Sequence, residues 1–196
     1  MPRRPSDAKD RIVQTALELF GRRGYHATSI ADILEGSSVN RATLYHYFPT
    51  KKELGFAVID EQLRLLVEQG AARHLRTDGH PIDIMLEMID ELPGLVKLET
   101  GEALTPSLAA RLGSVDADFQ ERLAAAYGAL IDELEVILRR GVAQGQIADS
   151  VDPHVLTHVF TVMCEGIQFT SVLGLREAIL EDGRRWLKEY LNSLRT

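Results

Sequence analysis

The sequence has almost no cysteine. Cys164 is the single one among 196 residues, which excludes an internal disulfide framework and any zinc site built on cysteines of this chain alone. It also lacks an alternating apolar–polar run of strand length, so no sheet is expected. No apolar stretch follows Met1-Pro2-Arg3-Arg4; no secretory signal is read, and the chain is expected in the cytosol. A uniformly apolar run is missing too. Val155 to Leu175 comes nearest, with one charge at Glu165, but His158, Gln168 and several Thr and Ser interrupt it. That composition fits a helix buried in protein rather than a membrane span.

The formal net charge is −7, which by itself argues against nucleic acid. The distribution says otherwise. Residues 1–54 hold nine Lys or Arg against six Asp or Glu, a net of +3, and the remainder carries −10. A basic head precedes an acidic body, and only the head has the sign to meet phosphate.

Punctuation along the chain reads as helix throughout, about nine in all, giving an all-α fold. The first helix starts after Pro5 with Ser6 or Asp7 as cap, shows Ile12, Ala16, Leu19 and Phe20 on one face, and ends at Gly24. A short helix follows from about Ser29 to Glu35, then the turn Gly36-Ser37-Ser38. Asn40 caps a third helix that Pro49 stops. Thr50-Lys51-Lys52-Glu53 is a capping box and opens a long helix to about Arg73. Further on, an amphipathic helix carries Met85, Met88, Ile89 and Leu92, and a less regular piece covers Leu104 to Leu112. Asp116 begins a long helix ending near Gly141 to Gly145. Asp152-Pro153 opens the Val155–Leu175 helix, and a last amphipathic helix holds Ile179, Leu187, Tyr190 and Leu194. The expected division is a head of residues 1–50 and a body of residues 51–196.

Three short helices with a tight turn between the second and third are the ingredients of a helix-turn-helix. Ile30, Ile33, Leu34, Val39, Leu44 and Phe48 can hold the second and third helices at a fixed angle. Asn40, Arg41, Ala42 and Thr43 then form a short-chained or polar face that can enter a major groove. Arg41 suits guanine edges or phosphate, and Thr43 a thymine methyl or phosphate. Tyr45, His46 and Tyr47 offer aromatic rings with polar tips, and Lys51 marks a positive helix start.

The strings Thr28-Ser29-Ile30-Ala31-Asp32-Ile33 and Val39-Asn40-Arg41-Ala42-Thr43-Leu44-Tyr45-His46-Tyr47-Phe48-Pro49-Thr50-Lys51-Lys52-Glu53-Leu54 closely resemble the signature of TetR-family regulators. The resemblance covers about residues 8–56. Ser37-Ser38 replaces a common Ala-Gly, and Ala42 a common Gly. The resemblance implies contacts to double-stranded operator DNA from Thr28, Asn40, Arg41, Ala42, Thr43, Tyr45, His46, Tyr47 and Lys51. It further implies a cavity for a small-molecule effector in the body and a homodimer formed mainly by the last two helices.

Within the body, Met85, Met88, Leu108, Phe119, Leu123, Tyr127, Phe160 and Met163 are the candidate effector contacts, since methionine adapts to varied apolar ligands. Glu165 stands out as a carboxylate in an otherwise uncharged helix. It needs a partner, either a cationic effector or a salt bridge to Arg111, Arg139 or the dimer mate. For the dimer face, the small residues Gly166, Thr170 and Gly174, flanked by Val162, Phe169 and Leu173, meet Trp186, Tyr190 and Leu194. No cofactor is called for. His154 and His158, an i, i+4 pair, could ligate a metal, but no acid stands beside them in the zincin pattern, so neither a metal centre nor an enzyme is expected. The alternative function is a DNA-binding factor with no ligand.

Overall fold

A computed structural model describes residues 5–68, 74–75, 78–92, 114, 116–172 and 177–196. Among these, eight helices and no strand are present: α1 (Pro5–Arg23), α2 (Ile30–Ser37), α3 (Arg41–Tyr47), α4 (Lys51–Glu68), α5 (Pro81–Glu91), α6 (Ala117–Ala143), α7 (Pro153–Val172) and α8 (Glu177–Ser193). The all-helical class expected from the sequence is therefore found. The expected piece from Leu104 to Leu112 and the end of the fourth helix near Arg73 lie outside the described residues. The only pairing of strand type among them is an isolated bridge between Ile147 and Arg195. No helix among the described residues is long and apolar enough to cross a membrane.

The chain divides into two compact units, Met1–Arg64 with Ser107–Ala124, and Leu65–Pro106 with Ala125–Thr196. In the first unit, Ile12, Ala16, Leu17 and Phe20 of α1 are buried with Ile33 of α2, Leu44 of α3 and Leu54, Val58 and Ile59 of α4. Their four-residue and three-residue spacings put them on one face of each helix. Each large side chain so buried contributes about 1.5–3 kcal/mol of transfer free energy. The start of α6 also belongs to this unit, and the ring of Phe119 is central to it. It sits edge-on to Tyr25 at 5.4 Å and to Phe56 at 5.0 Å. It lies so close beneath the Cα of Gly55 that a Cβ there would collide with the ring. Lys52 ties α4 to the same segment through Asp116 and Asp118, and Arg122 forks onto Asp60 with two bonds of 2.7 Å.

The second unit buries Ile82, Ile84, Met85 and Ile89 of α5 with Leu134, Ile137 and Leu138 of α6, Leu156, Phe160 and Cys164 of α7, and Leu187 and Leu191 of α8. His80 caps α5, its Nδ1 accepting the Ile82 amide at 3.1 Å while Pro81 takes the first turn, where no amide is missed. Gly141 lets α6 pass close to Pro81, since an added Cβ would lie 2.6 Å from the proline ring. Lys188 to Asp90 and Arg195 to Asp83 tie the C-terminal region to α5.

Candidate functional site

The candidate site is the exposed side of α3, and local chemistry sets it up. Ser29 caps α2 in a complete capping box: its hydroxyl accepts the Asp32 amide at 3.1 Å, and the Asp32 carboxylate accepts the Ser29 amide at 2.7 Å. The Ser29 hydroxyl also donates to that carboxylate at 2.6 Å, and this bond together with the one from the Ser29 amide holds the Asp32 carboxyl below the usual carboxylate range. Ser37 lies buried at the end of α2 and donates to the Ile33 carbonyl. Ser38 then turns the chain with φ +52° and ψ +40°, a left-handed conformation that glycine adopts without steric cost. Two residues on, Asn40 caps α3, its Oδ1 accepting the Thr43 amide at 2.8 Å. Leu44 and Phe48 point into the core. With those anchors inside, the opposite side of α3 must face out.

Asn40, Arg41, Ala42, Tyr45 and His46 are exposed, and Thr43 and Tyr47 are half-buried. Among the described residues Arg41 has no ion-pair partner, so its guanidinium is available to an external acceptor. Tyr45 is 40% exposed for so large a ring. The His46 and Tyr47 rings meet edge-on at 5.1 Å, and Tyr47 leans on Phe48 at 6.4 Å. This surface offers one bidentate cation, one amide, one ring hydroxyl at full reach and one imidazole, around a residue no larger than alanine. Those are hydrogen-bonding groups matched to base edges and phosphate oxygens.

Two expected contacts are placed elsewhere. Thr28 has no exposed surface, and its hydroxyl donates to the Gly24 carbonyl at 2.9 Å, with the Leu19 carbonyl at 3.2 Å. It ties the end of α1 to the start of α2 and cannot reach DNA through its side chain. Lys51 turns its ammonium inward, donating to the Tyr25 carbonyl at 2.6 Å beneath the Tyr25 ring. Loss of water around it pushes its pKa down. What Lys51 presents outward is the start of α4, not a free side chain.

The residues expected to contact an effector separate. Met85 and Phe160 are buried in the core of the second unit, with Met88 and Met163 half-buried against it. Tyr127 is half-buried in the same unit, its hydroxyl pushed up to about 12 by burial and by the nearby Glu165 charge. Phe119 and Leu123, by contrast, belong to the first unit; Phe119 is core beneath Gly55, not a wall of a cavity in the second unit. Leu108 lies outside the described residues, and so does Arg111.

Arg139, named as a partner for Glu165, instead pairs with Glu135. Glu165 makes no hydrogen bond or ion pair among the described residues, and burial raises its pKa. Cys164 is buried and its thiol is pushed up to about 12, first by desolvation, so it stays protonated and inert.

Of the expected dimer residues, Val162 is 71% and Trp186 55% exposed, and Tyr190 stacks on Trp186 at 5.5 Å with the rings 4° from parallel. Gly166 is exposed, and Thr170 and Leu194 are half-buried. Leu173 and Gly174 lie outside the described residues, and of Phe169 only the helical backbone is described. Sequence reasoning missed Val155, Val159 and Ile179, exposed like Val162. The i, i+4, i+7 spacing of Val155, Val159 and Val162 was the signal that could have found them.

Comparison with known proteins bears on this geometry. The profile described as bacterial regulatory proteins, tetR family, matches residues 12–58, which span α2, α3 and the capped start of α4. The HTH-type transcriptional repressor Rv3405c of Mycobacterium tuberculosis is 31% identical over 145 residues, 65% of this chain and 71% of the repressor. An HTH-type regulator of the lacX 3′ region in Lactococcus lactis is 32% identical over 84 residues, so the match spans 43% of that relative's length. Among solved structures, a TetR transcriptional regulator from Chloroflexus aurantiacus superposes with a TM-score of 0.82 at 21% identity, over 97% of each chain. A transcriptional regulator from Saccharomonospora viridis in complex with choline gives 0.78 at 21% identity, over 95% of this chain and 96% of that one. With the outward α3 surface and this likeness taken together, the chain belongs to the TetR family of transcriptional regulators.

Proposed function

We propose that this regulator is a homodimeric repressor that leaves a near-palindromic operator when a small molecule binds its second unit. The observation that carries the DNA-binding half is the exposed Asn40, Arg41, Ala42, Thr43, Tyr45, His46 surface, backed by Leu44 and Phe48 in the core. In this reading Arg41 reads a base, Tyr45, His46 and Tyr47 hold backbone phosphates, and the start of α4 meets another phosphate. Two such surfaces related by a twofold axis meet major-groove faces about one helical turn apart or more.

The dimer half rests on Val155, Val159 and Val162 of α7 and Ile179, Trp186 and Tyr190 of α8, large apolar side chains exposed in the single chain. Patches of that kind on adjacent elements mark protein interfaces, and a twofold partner offers the same patch in return. The small Gly166 and the neighbouring Thr170 allow a partner helix to approach.

The effector is held by Met88, Tyr127, Met163 and the groups around Glu165. A partly buried carboxylate with no partner among the described residues favours a cationic or neutral ligand over an anionic one, as does the net charge of −10 beyond residue 54. The structural neighbour with choline bound is consistent with that class. The signal has two covalent routes between the units. Both α4 and α6 have residues in each. Release follows only if the effector binds better to a conformation that holds the two heads wrongly for the operator.

The test has two steps. Selection from random duplexes should return an inverted repeat protected by the dimer. Titration with quaternary ammonium and neutral apolar compounds should then release it, and Met163→Trp should abolish release while sparing DNA binding. Recovery of no inverted repeat contradicts the reading, and equal release by wild type and Met163→Trp contradicts the placement of the effector.

A further inference from the structure

The second unit brings together three side chains that the regulator reading does not use. His154 and His158 lie one turn apart on α7, and Glu135 reaches them from α6. His154 Nδ1 is 2.9 Å from Glu135 Oε2, and the two imidazole rings are 4.1 Å apart, tilted by 58°. One ligating atom from each of the three lies within 4.8 Å of the others. From these observations we propose a surface site for a divalent transition-metal ion, of the zinc, nickel or cobalt class, ligated by Glu135, His154 and His158.

The chemistry of the donor set supports this choice. Metal–imidazole and metal–carboxylate bonds of about 2.0–2.2 Å put neighbouring donors of a tetrahedral ion roughly 3.3 Å apart, a spacing that small side-chain rotations reach from the one observed. Two imidazoles and one carboxylate suit zinc, nickel or cobalt, whereas magnesium and calcium prefer oxygen ligands throughout. Three protein ligands on an open surface leave the remaining positions to water.

The surroundings hold the ligands in place. Arg139 Nε donates to Glu135 Oε1 at 2.8 Å, which steadies the carboxylate and leaves Oε2 to His154, as an outer partner of a metal ligand does. Asp152 caps α7, accepting the amides of His154 at 2.9 Å and Val155 at 3.3 Å, so the first turn carrying His154 is fixed. An ion at this point pins α6 to α7.

Untagged, chelator-stripped full-length protein is titrated with cobalt, followed by its visible absorption, and with zinc against a chromophoric chelator. Circular dichroism confirms that each variant is folded. The site predicts one saturable ion per chain that magnesium does not displace, and a rise in Tm as it fills. In His154→Ala/His158→Ala that ion is lost, and in Glu135→Gln its affinity falls about 10-fold or more. Unchanged stoichiometry and affinity in the double variant, or no saturable binding by wild type below millimolar zinc, overturns the proposal.

Discussion

The ammonium of Lys51 sits 4.3 Å from the centroid of the Tyr25 ring and donates to the carbonyl of the same tyrosine at 2.6 Å. One side chain from the first turn of α4 thereby fastens the loop between α1 and α2, and Tyr25 in turn meets Phe20 at 5.1 Å. The positive end of α4 is positioned by an internal bond. Lys51→Ala removes a cation–π contact and a charged hydrogen bond, which together are expected to lower stability by about 1–2 kcal/mol. Thermal denaturation of the purified variant measures it. An unchanged Tm would mean that Tyr25 does not hold this lysine in solution.

Ser38 carries the opposite kind of prediction. Its φ of +52° lies in the left-handed region, which costs a residue with a Cβ about 1–2 kcal/mol relative to glycine. Glycine also loses more chain entropy on folding, so Ser38→Gly should stabilise the protein by up to about 1 kcal/mol and leave the exposed surface of α3 in place. A lower Tm would show that the Ser38 side chain contributes more than its backbone costs.

Glu165 gives a stability effect with a definite pH dependence. Burial raises its carboxyl pKa in the folded chain, so folding favours the protonated form. That contribution is complete in acid, below the ordinary carboxylate value, and is lost as pH rises through the raised folded value. Glu165→Gln, neutral at every pH, should therefore raise Tm at neutral pH. The gain should shrink as pH falls and vanish in acid, where the wild type is protonated both folded and unfolded. Tm measured from acid to neutral pH decides this, and a gain independent of pH would contradict it.

The apolar stripe on α7 predicts assembly. Val162 is 71% exposed in the single chain, so Val162→Glu costs little within one folded chain. Across a twofold axis it places two carboxylates in an apolar contact, which is strongly unfavourable. Sedimentation should show a wild-type dimer and a folded monomeric variant. A dimer of undiminished affinity in Val162→Glu would move the interface elsewhere.

Much of the first unit is written locally. Ser29, Asn40 and Thr50 each bond to an amide three residues on, so caps, turn and helix starts are legible from short strings. Positions that depend on distant partners are not. Thr28 reads as a DNA contact until the end of α1 is known to supply its acceptors. Phe119 reads as part of the body because nothing near it in sequence says that it packs under Gly55. Likewise the acid missing beside His154 and His158 arrives from Glu135, nineteen residues away on another helix. Amphipathic spacing shows that a face is buried or sticky without naming what covers it.

If α3 reads operator DNA, the exposed guanidinium of Arg41 carries much of the reading. Anisotropy titrations of wild type and Arg41→Ala, at one matched salt concentration, against the selected operator and a set of single-base-pair variants separate reading from mere attraction. Arg41→Ala is expected to lose about 1–3 kcal/mol on the operator and to stop distinguishing substitutions at one base pair in each half-site, while its non-specific affinity falls far less. Operator affinity and base-pair discrimination equal to those of wild type would contradict it.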